Sequence, residues 1–200
     1  MNNIDKIKEI IKKNNGIVSS KEVYQNNINS WYLTDMVRKG YIERVNRGVY
    51  FDPDFDNYDE LYFFQLKNKV CTYSYQTALY LHKLTDRLPF IDEVTVYQGY
   101  NAWRIKDKLK VHQVKKEWYE IGVAEIKTEM GNPVYAYDME RTMCDLVRDR
   151  KNQDPEIFSK ACHYYINNTA KNIWKLREYS DTFNISDKVE DILEVISYNL

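Results

Sequence analysis

The stretch Arg38-Lys39-Gly40-Tyr41-Ile42-Glu43-Arg44-Val45-Asn46-Arg47-Gly48-Val49-Tyr50-Phe51 changes its period partway along. Up to Lys39 the apolar residues recur as on a helix, and Gly40 supplies a stop. From Tyr41 to Val45 they alternate as on a strand. Asn46-Arg47-Gly48 has the composition of a tight turn, and Val49-Tyr50-Phe51 reads as the return strand. A hairpin with Arg47 at its tip and Arg44 nearby, directly after a helix, is a wing able to reach a phosphate backbone or a minor groove.

Three helices are predicted upstream. Ile4, Ile7, Ile10 and Ile11 place one apolar stripe on the first, and Asn14-Asn15-Gly16 ends it. Ile17 and Val18 lead into Ser19-Ser20-Lys21-Glu22, where Ser19 and Glu22 form a capping box for a short second helix that ends near Gln25. The third runs from Asn29 or Ser30 to Lys39. Leu33, Met36 and Val37 form its apolar face; Trp31, Asp35, Arg38 and Lys39 fall opposite, flanked by Tyr32 and Thr34. Two helices joined by a tight turn form a helix-turn-helix, whose second helix enters the major groove. The predicted DNA-binding residues are Lys21, Ser30, Trp31, Tyr32, Thr34, Arg38, Lys39, Arg44, Asn46 and Arg47. The competing reading of the third helix is a solvated face with Trp31 tucked against the domain edge.

Charge distribution agrees with the groove reading. Residues 1–51 hold nine Lys/Arg against five Asp/Glu, a balance of +4; the total of −1 leaves −5 for the rest. A basic head on an acidic body suits a chain that offers one end to a polyanion. Asp52-Pro53-Asp54-Phe55-Asp56-Asn57 breaks the flanking patterns, so the domains are expected at 1–52 (winged helix-turn-helix) and 53–200.

The second domain reads as α+β, with a central antiparallel or mixed sheet and flanking helices. A helix carries Leu61, Phe64 and Leu66, and Cys71 to Leu84 reads as a second helical region. Val94–Tyr97 and Lys110–Val114 are expected strands. A hairpin is expected from 124–128 and 134–137 around Gly131-Asn132. Helices return after Asp138, after the Asp154-Pro155 cap, from Ile173 to Phe183, and from Ser186 to Tyr198.

Several function classes find no support. No apolar run approaches a membrane span or the core of a signal peptide, so a cytoplasmic protein is expected. Three widely spaced cysteines, Cys71, Cys144 and Cys162, suit a reducing compartment. No C-x-x-C, Gly-rich phosphate loop or G-x-S-x-G elbow occurs, so neither cofactor nor metal is expected. Three alternatives stay open for Glu140, Arg141 and Asp145: an intrahelical Arg–Asp pair, a polar surface, or carboxylates holding a metal. Lys106, Lys108, Lys110, Lys115 and Lys116 form a basic run that is either a solvated face or a contact for phosphates or an acidic partner.

These residues resemble the AbiEi antitoxin family. Leu33, Arg38, Gly40, Ile42, Arg44 and Arg47-Gly48-Val49-Tyr50 are similar to its winged-helix phrase. Ser74 to Leu84, with Thr77-Ala78-Leu79 and His82, resembles its next conserved helix, although Lys83 stands where glycine is frequent. Val94-Thr95-Val96 with Gly99-Tyr100, and Tyr137-Asp138-Met139-Glu140-Arg141-Thr142-Met143-Cys144-Asp145-Leu146, resemble later family segments. The resemblance covers about residues 16–150. It implies a type IV toxin–antitoxin (abortive infection) system in which the winged helix binds inverted repeats of double-stranded promoter DNA and represses the operon. It also implies a second domain that counters a nucleotidyltransferase-like toxin, AbiEii, without a stable complex; Glu140, Arg141 and Asp145 would then be an antitoxicity surface. A monomer that binds repeats cooperatively is expected. The alternatives are a nuclease-like or a ligand-sensing second domain.

Overall fold

The computed structural model describes residues 2–55 and 58–197. Asp56 and Asn57, in the expected boundary, and Tyr198, the expected last helical residue, lie outside them. The chain divides into two units, Met1–Asn68 and Lys69–Leu200.

In the first unit, α1 (Asn3–Lys13) starts at Asn2, whose side chain caps the Ile4 and Asp5 amides, with Asp5 bonding back. Ile7 and Ile11 are buried, and Ile4 and Ile10 pack at their margin. The Ser19/Glu22 box forms as expected: the Glu22 amide donates to Ser19 Oγ at 3.1 Å and the Ser19 amide to Glu22 Oε2 at 2.9 Å, opening α2 (Ser20–Gln25). In α3 (Trp31–Arg38), the Asn29 side chain accepts the Trp31 amide at 2.8 Å.

The wing differs from expectation in two ways. Ile17–Ser19 is a strand, β1, rather than a lead-in. It pairs antiparallel with β3 (Val49–Phe51), which in turn pairs with β2 (Glu43–Asn46), giving a three-stranded sheet ordered β1-β3-β2. The first wing strand also begins at Glu43 rather than Tyr41. The Tyr41 and Gly40 amides instead bond back to the Met36 and Val37 carbonyls, both at 3.0 Å, and close the end of α3. Gly48, with φ of +74°, lets the chain reverse beside Arg47.

The expected boundary at 52/53 is corrected to 68/69. The helix expected to open the second domain, α4 (Glu60–Lys67), packs against β2 and belongs to the first unit. Phe63, 1% exposed, meets Phe51 edge-on at 5.2 Å and stacks on Tyr58 at 4.8 Å. An acidic, proline-bearing segment can break both flanking patterns without ending a folding unit, because the apolar residues beyond it still find the same core.

The second unit holds β4 (Thr72–Tyr73), α5 (Tyr75–Leu81), β5 (Glu93–Tyr97), β6 (Lys110–Val114), α6 (Lys116–Tyr119), β7 (Val123–Lys127), β8 (Pro133–Tyr137), α7 (Met139–Arg148), α8 (Pro155–Asn167), α9 (Ile173–Thr182) and α10 (Ser186–Ser197). Its sheet is mixed and ordered β6-β5-β4-β8-β7, with β5–β6 and β4–β8 parallel and the other pairs antiparallel. The helical reading of Cys71–Leu84 fails at its start: Thr72 and Tyr73 form the central strand. The chain turns at Ser74 and Tyr75, and Tyr75 takes a left-handed φ of +48°. Burial and a 3.8 Å stack on His112 hold that unfavourable conformation. Met143, Leu146, Val147, Phe158, Cys162, Tyr165, Leu176 and Val189 bring α7–α10 into one core.

Candidate nucleic-acid interface

Helix α3 buries Leu33, Asp35 and Met36 and leaves Ser30, Trp31, Thr34, Arg38 and Lys39 exposed. Trp31 is 59% exposed, so it is not tucked against the domain edge. Tyr32, expected on the outward face, is half-buried against the core and meets Trp31 edge-on at 5.4 Å.

Asp35, expected on the outward face, is instead buried. Its carboxylate is 6% exposed, with Oδ1 2.7 Å from Arg38 Nη2 and Oδ2 2.7 Å from Lys39 Nζ. The hydrogen bond from Lys39, followed by that from Arg38, holds its pKa below the usual carboxylate range. A single anion at the helix flank therefore orients both cations, while 76% of the Arg38 side chain and 46% of the Lys39 side chain stay exposed. The sequence did hold this signal: Asp35 is three residues before Arg38 and four before Lys39, the two spacings that meet on a helix surface.

On the wing, Arg44 and Arg47 are exposed. Asn46, predicted to touch DNA, is half-buried and occupied: its amide donates to the Leu66 carbonyl of α4, and its Oδ1 accepts the Arg47 amide at 2.7 Å. It fixes the tip that carries Arg47 instead of facing outward. The Ser20 amide donates to the Gly48 carbonyl at 2.8 Å, tying the wing tip to the start of α2, where exposed Lys21 follows. Helix α4, with Phe63 under β3 and the Leu66 carbonyl under Asn46, is the support that sequence reasoning missed. It has no motif, and its role arises only from packing.

The boundary change also alters the charge picture. Residues 52–68 add five acids and one lysine, so the first unit holds ten basic and ten acidic residues, and the second nets −1. The basic head and acidic body do not correspond to the two units. Charge is separated within the first unit instead, between the α3 and wing cations and the acidic 52–60 segment.

In the second unit, Glu140, Arg141 and Asp145 form no surface. They are 4%, 0% and 0% exposed, which corrects the antitoxicity assignment. Arg141 Nε donates to Asp145 Oδ2 at 3.1 Å, and its Nη1 donates to the Trp118 and Ile121 carbonyls, both at 2.6 Å. The guanidinium carbon lies 4.0 Å from the Tyr137 ring and 4.5 Å from Phe183. Gly122 is required beside it, because a Cβ there would fall 2.6 Å from Arg141 Cβ. Glu140 accepts the Tyr165 hydroxyl at 3.2 Å and the Asn172 amide at 2.9 Å. These three residues lock α7 to the sheet's connecting loops and to α8 and α9. Among the described residues no group of three or more His, Cys, Asp or Glu is placed to hold a metal. All three cysteines are buried; burial pushes Cys71 up to about 11 and Cys144 and Cys162 up to about 12. Nor is any helix, among the described residues, long and apolar enough to cross a membrane.

The family model described as "Transcriptional regulator, AbiEi antitoxin" matches residues 5–50, the segment that builds α1 to β3. Among solved structures, the crystal structure of the RV2827C protein from Mycobacterium tuberculosis is similar, with a TM-score of 0.50 and 8% identity over 94% of this chain and 79% of that one. That likeness concerns the fold alone. No curated protein matches the chain. The matched segment spans the three helices and the basic-tipped wing, and over these residues the chain is similar to the AbiEi family of antitoxin transcriptional regulators.

Proposed function

We propose that the chain is the antitoxin of a type IV, abortive-infection toxin–antitoxin pair, and that it represses its own promoter by binding inverted repeats. The outward face of α3, with Ser30, Trp31, Thr34, Arg38 and Lys39, lies in the major groove, and Arg44 and Arg47 neutralise flanking phosphates with Lys21 beside them. The observation that carries this reading is the Asp35 clamp. A buried carboxylate that holds two exposed cations in register is an arrangement suited to reading base edges, where geometry matters more than charge. Binding is expected to be cooperative between monomers on the two repeats. The second unit is assigned to countering a nucleotidyltransferase-like toxin without a stable complex.

The test is a titration of the promoter duplex against a scrambled duplex of equal length. Arg38→Ala with Arg47→Ala is expected to weaken promoter binding by at least about thirtyfold, since each contact contributes on the order of 1–3 kcal/mol. Unchanged promoter affinity in the folded double variant would remove the assigned face.

A further inference from the structure

Residues 100–116 hold six of the second unit's nineteen cations, Arg104, Lys106, Lys108, Lys110, Lys115 and Lys116, and one acid, Asp107. The segment carries +5 in a unit that nets −1. The six cations are not equivalent. Lys110 Nζ is 3.1 Å from Glu93, which is 2% exposed, and is thus neutralised. Lys115 lies over the Trp118 ring and Lys116 over Tyr97. Arg104, Lys106 and Lys108 remain, each exposed and with no ion pair among the described residues. Trp103 stands beside them and is 67% exposed.

The backbone under these four residues is set. Ile105 is 6% exposed and anchors the turn, and its carbonyl accepts the Lys108 and Leu109 amides at 3.0 and 3.1 Å. The Ala102 carbonyl accepts the Ile105 and Lys106 amides at 3.0 and 3.1 Å, and the Asn101 side chain accepts the Trp103 amide at 3.1 Å. The Lys110 amide donates to the Asp92 carbonyl at 3.0 Å, tying the far end of the turn to the start of β5. A large aromatic is therefore held in water, at the cost of exposed apolar area, beside three unpaired cations on a pinned turn.

We propose that the Trp103–Lys108 turn is a contact site for single-stranded nucleic acid. An exposed indole stacks on a base irrespective of its identity, and the neighbouring cations neutralise the phosphates on either side. A duplex has its bases stacked on one another and leaves no face for the indole, so charge alone would not explain Trp103. The site belongs to the second unit and does not depend on the promoter reading.

Fluorescence anisotropy on the full-length protein tests it, using labelled oligo-uridine and oligo-thymidine of about twelve nucleotides, with the promoter duplex as a parallel probe. Trp103→Ala is expected to weaken both single strands about tenfold. The Arg104→Ala/Lys106→Ala/Lys108→Ala variant is expected to flatten the salt dependence by about 2 in log K per log salt. Promoter affinity is expected to stay within about twofold of the parent in both. Tighter binding of uridine than of thymidine supports the site as an RNA contact, and equal binding supports it as a general single-strand contact. No binding of either oligonucleotide, or equal losses on single strand and duplex, overturns the proposal. Circular dichroism excludes misfolding, and Trp103→Phe, which keeps an aromatic face, is expected to restore most of the affinity.

Discussion

Replacing Arg141 by Met removes a buried charge but keeps side-chain length, which separates a structural lock from a functional surface. The wild-type guanidinium satisfies Asp145 and two carbonyls, those of Trp118 and Ile121, and is held between Tyr137 and Phe183. The substitution leaves both carbonyls without this donor. Among the described residues Asp145 then keeps only Arg148 as a charged partner, whose Nη2 is 2.8 Å from Oδ1. Breaking a buried ion pair from one side costs about 3–5 kcal/mol, most of it in the groups left behind. With a urea dependence of roughly 2 kcal/mol per M, the midpoint of the second unit should fall by about 1.5–2.5 M. Adding Asp145→Leu should recover part of the loss, because the remaining cation, Arg148, is 24% exposed and can turn to solvent. Urea titrations followed by far-ultraviolet circular dichroism and by tryptophan fluorescence provide the assay. A midpoint within about 0.3 M of the parent, combined with lost protection against the proposed toxin, would refute the lock and return Arg141 to a direct functional role.

Asp35→Asn frees the Arg38 and Lys39 side chains. Scrambled-duplex affinity should rise a few-fold from the added net charge, while the ratio of promoter to scrambled affinity should fall about tenfold; an unchanged ratio in anisotropy titrations would show that the clamp does not serve reading. Phe63→Ala empties a site against Phe51 and Tyr58 and should cost about 3–5 kcal/mol. It should also loosen the Asn46–Leu66 bond under the wing, so hydrogen exchange at residues 43–51 should accelerate more than at α1; equal acceleration would detach α4 from wing support. Burial lowers the pKa of His82, whose Nε2 lies 2.7 Å from the Tyr137 carbonyl. The unfolded state therefore takes up a proton first, and the second unit should lose stability as pH falls from about 6.5 towards the lowered folded value. His82→Gln should remove that slope, and the same urea midpoint shift with pH in both proteins would contradict the assignment.

Local chemistry made much of the winged helix legible. The Ser19/Glu22 box, the stop at Gly40, the Arg47-Gly48 reversal and the Asp138 and Asp154-Pro155 caps are decided by residues within a few positions of one another. Each forms in the structure, with Asp138 Oδ1 accepting the Arg141 amide at 2.8 Å. The outward placement of Trp31, Thr34 and Arg38 also follows from helical period alone. Period could not place Asp35, because a carboxylate between two cations lowers its own cost of burial, and a hydrophobicity pattern carries no term for that.

What only the tertiary structure decided involves partners distant in sequence. Ile17–Ser19 becomes a strand because Val49–Phe51 offers it a ladder thirty residues later. Thr72–Tyr73 becomes one because β5 and β8 flank it. Helix α4 joins the first unit because Phe63 fits Phe51, whatever the acidic segment between them suggests. For Glu140, Arg141 and Asp145 the sequence left an intrahelical pair, a polar surface and a metal-holding pair open; the Arg141–Asp145 pair forms, and the remaining hydrogen-bond partners lie on other elements, at Trp118, Ile121, Tyr165 and Asn172. A buried charge is tolerable only where such partners converge, and that convergence is a property of the assembled chain.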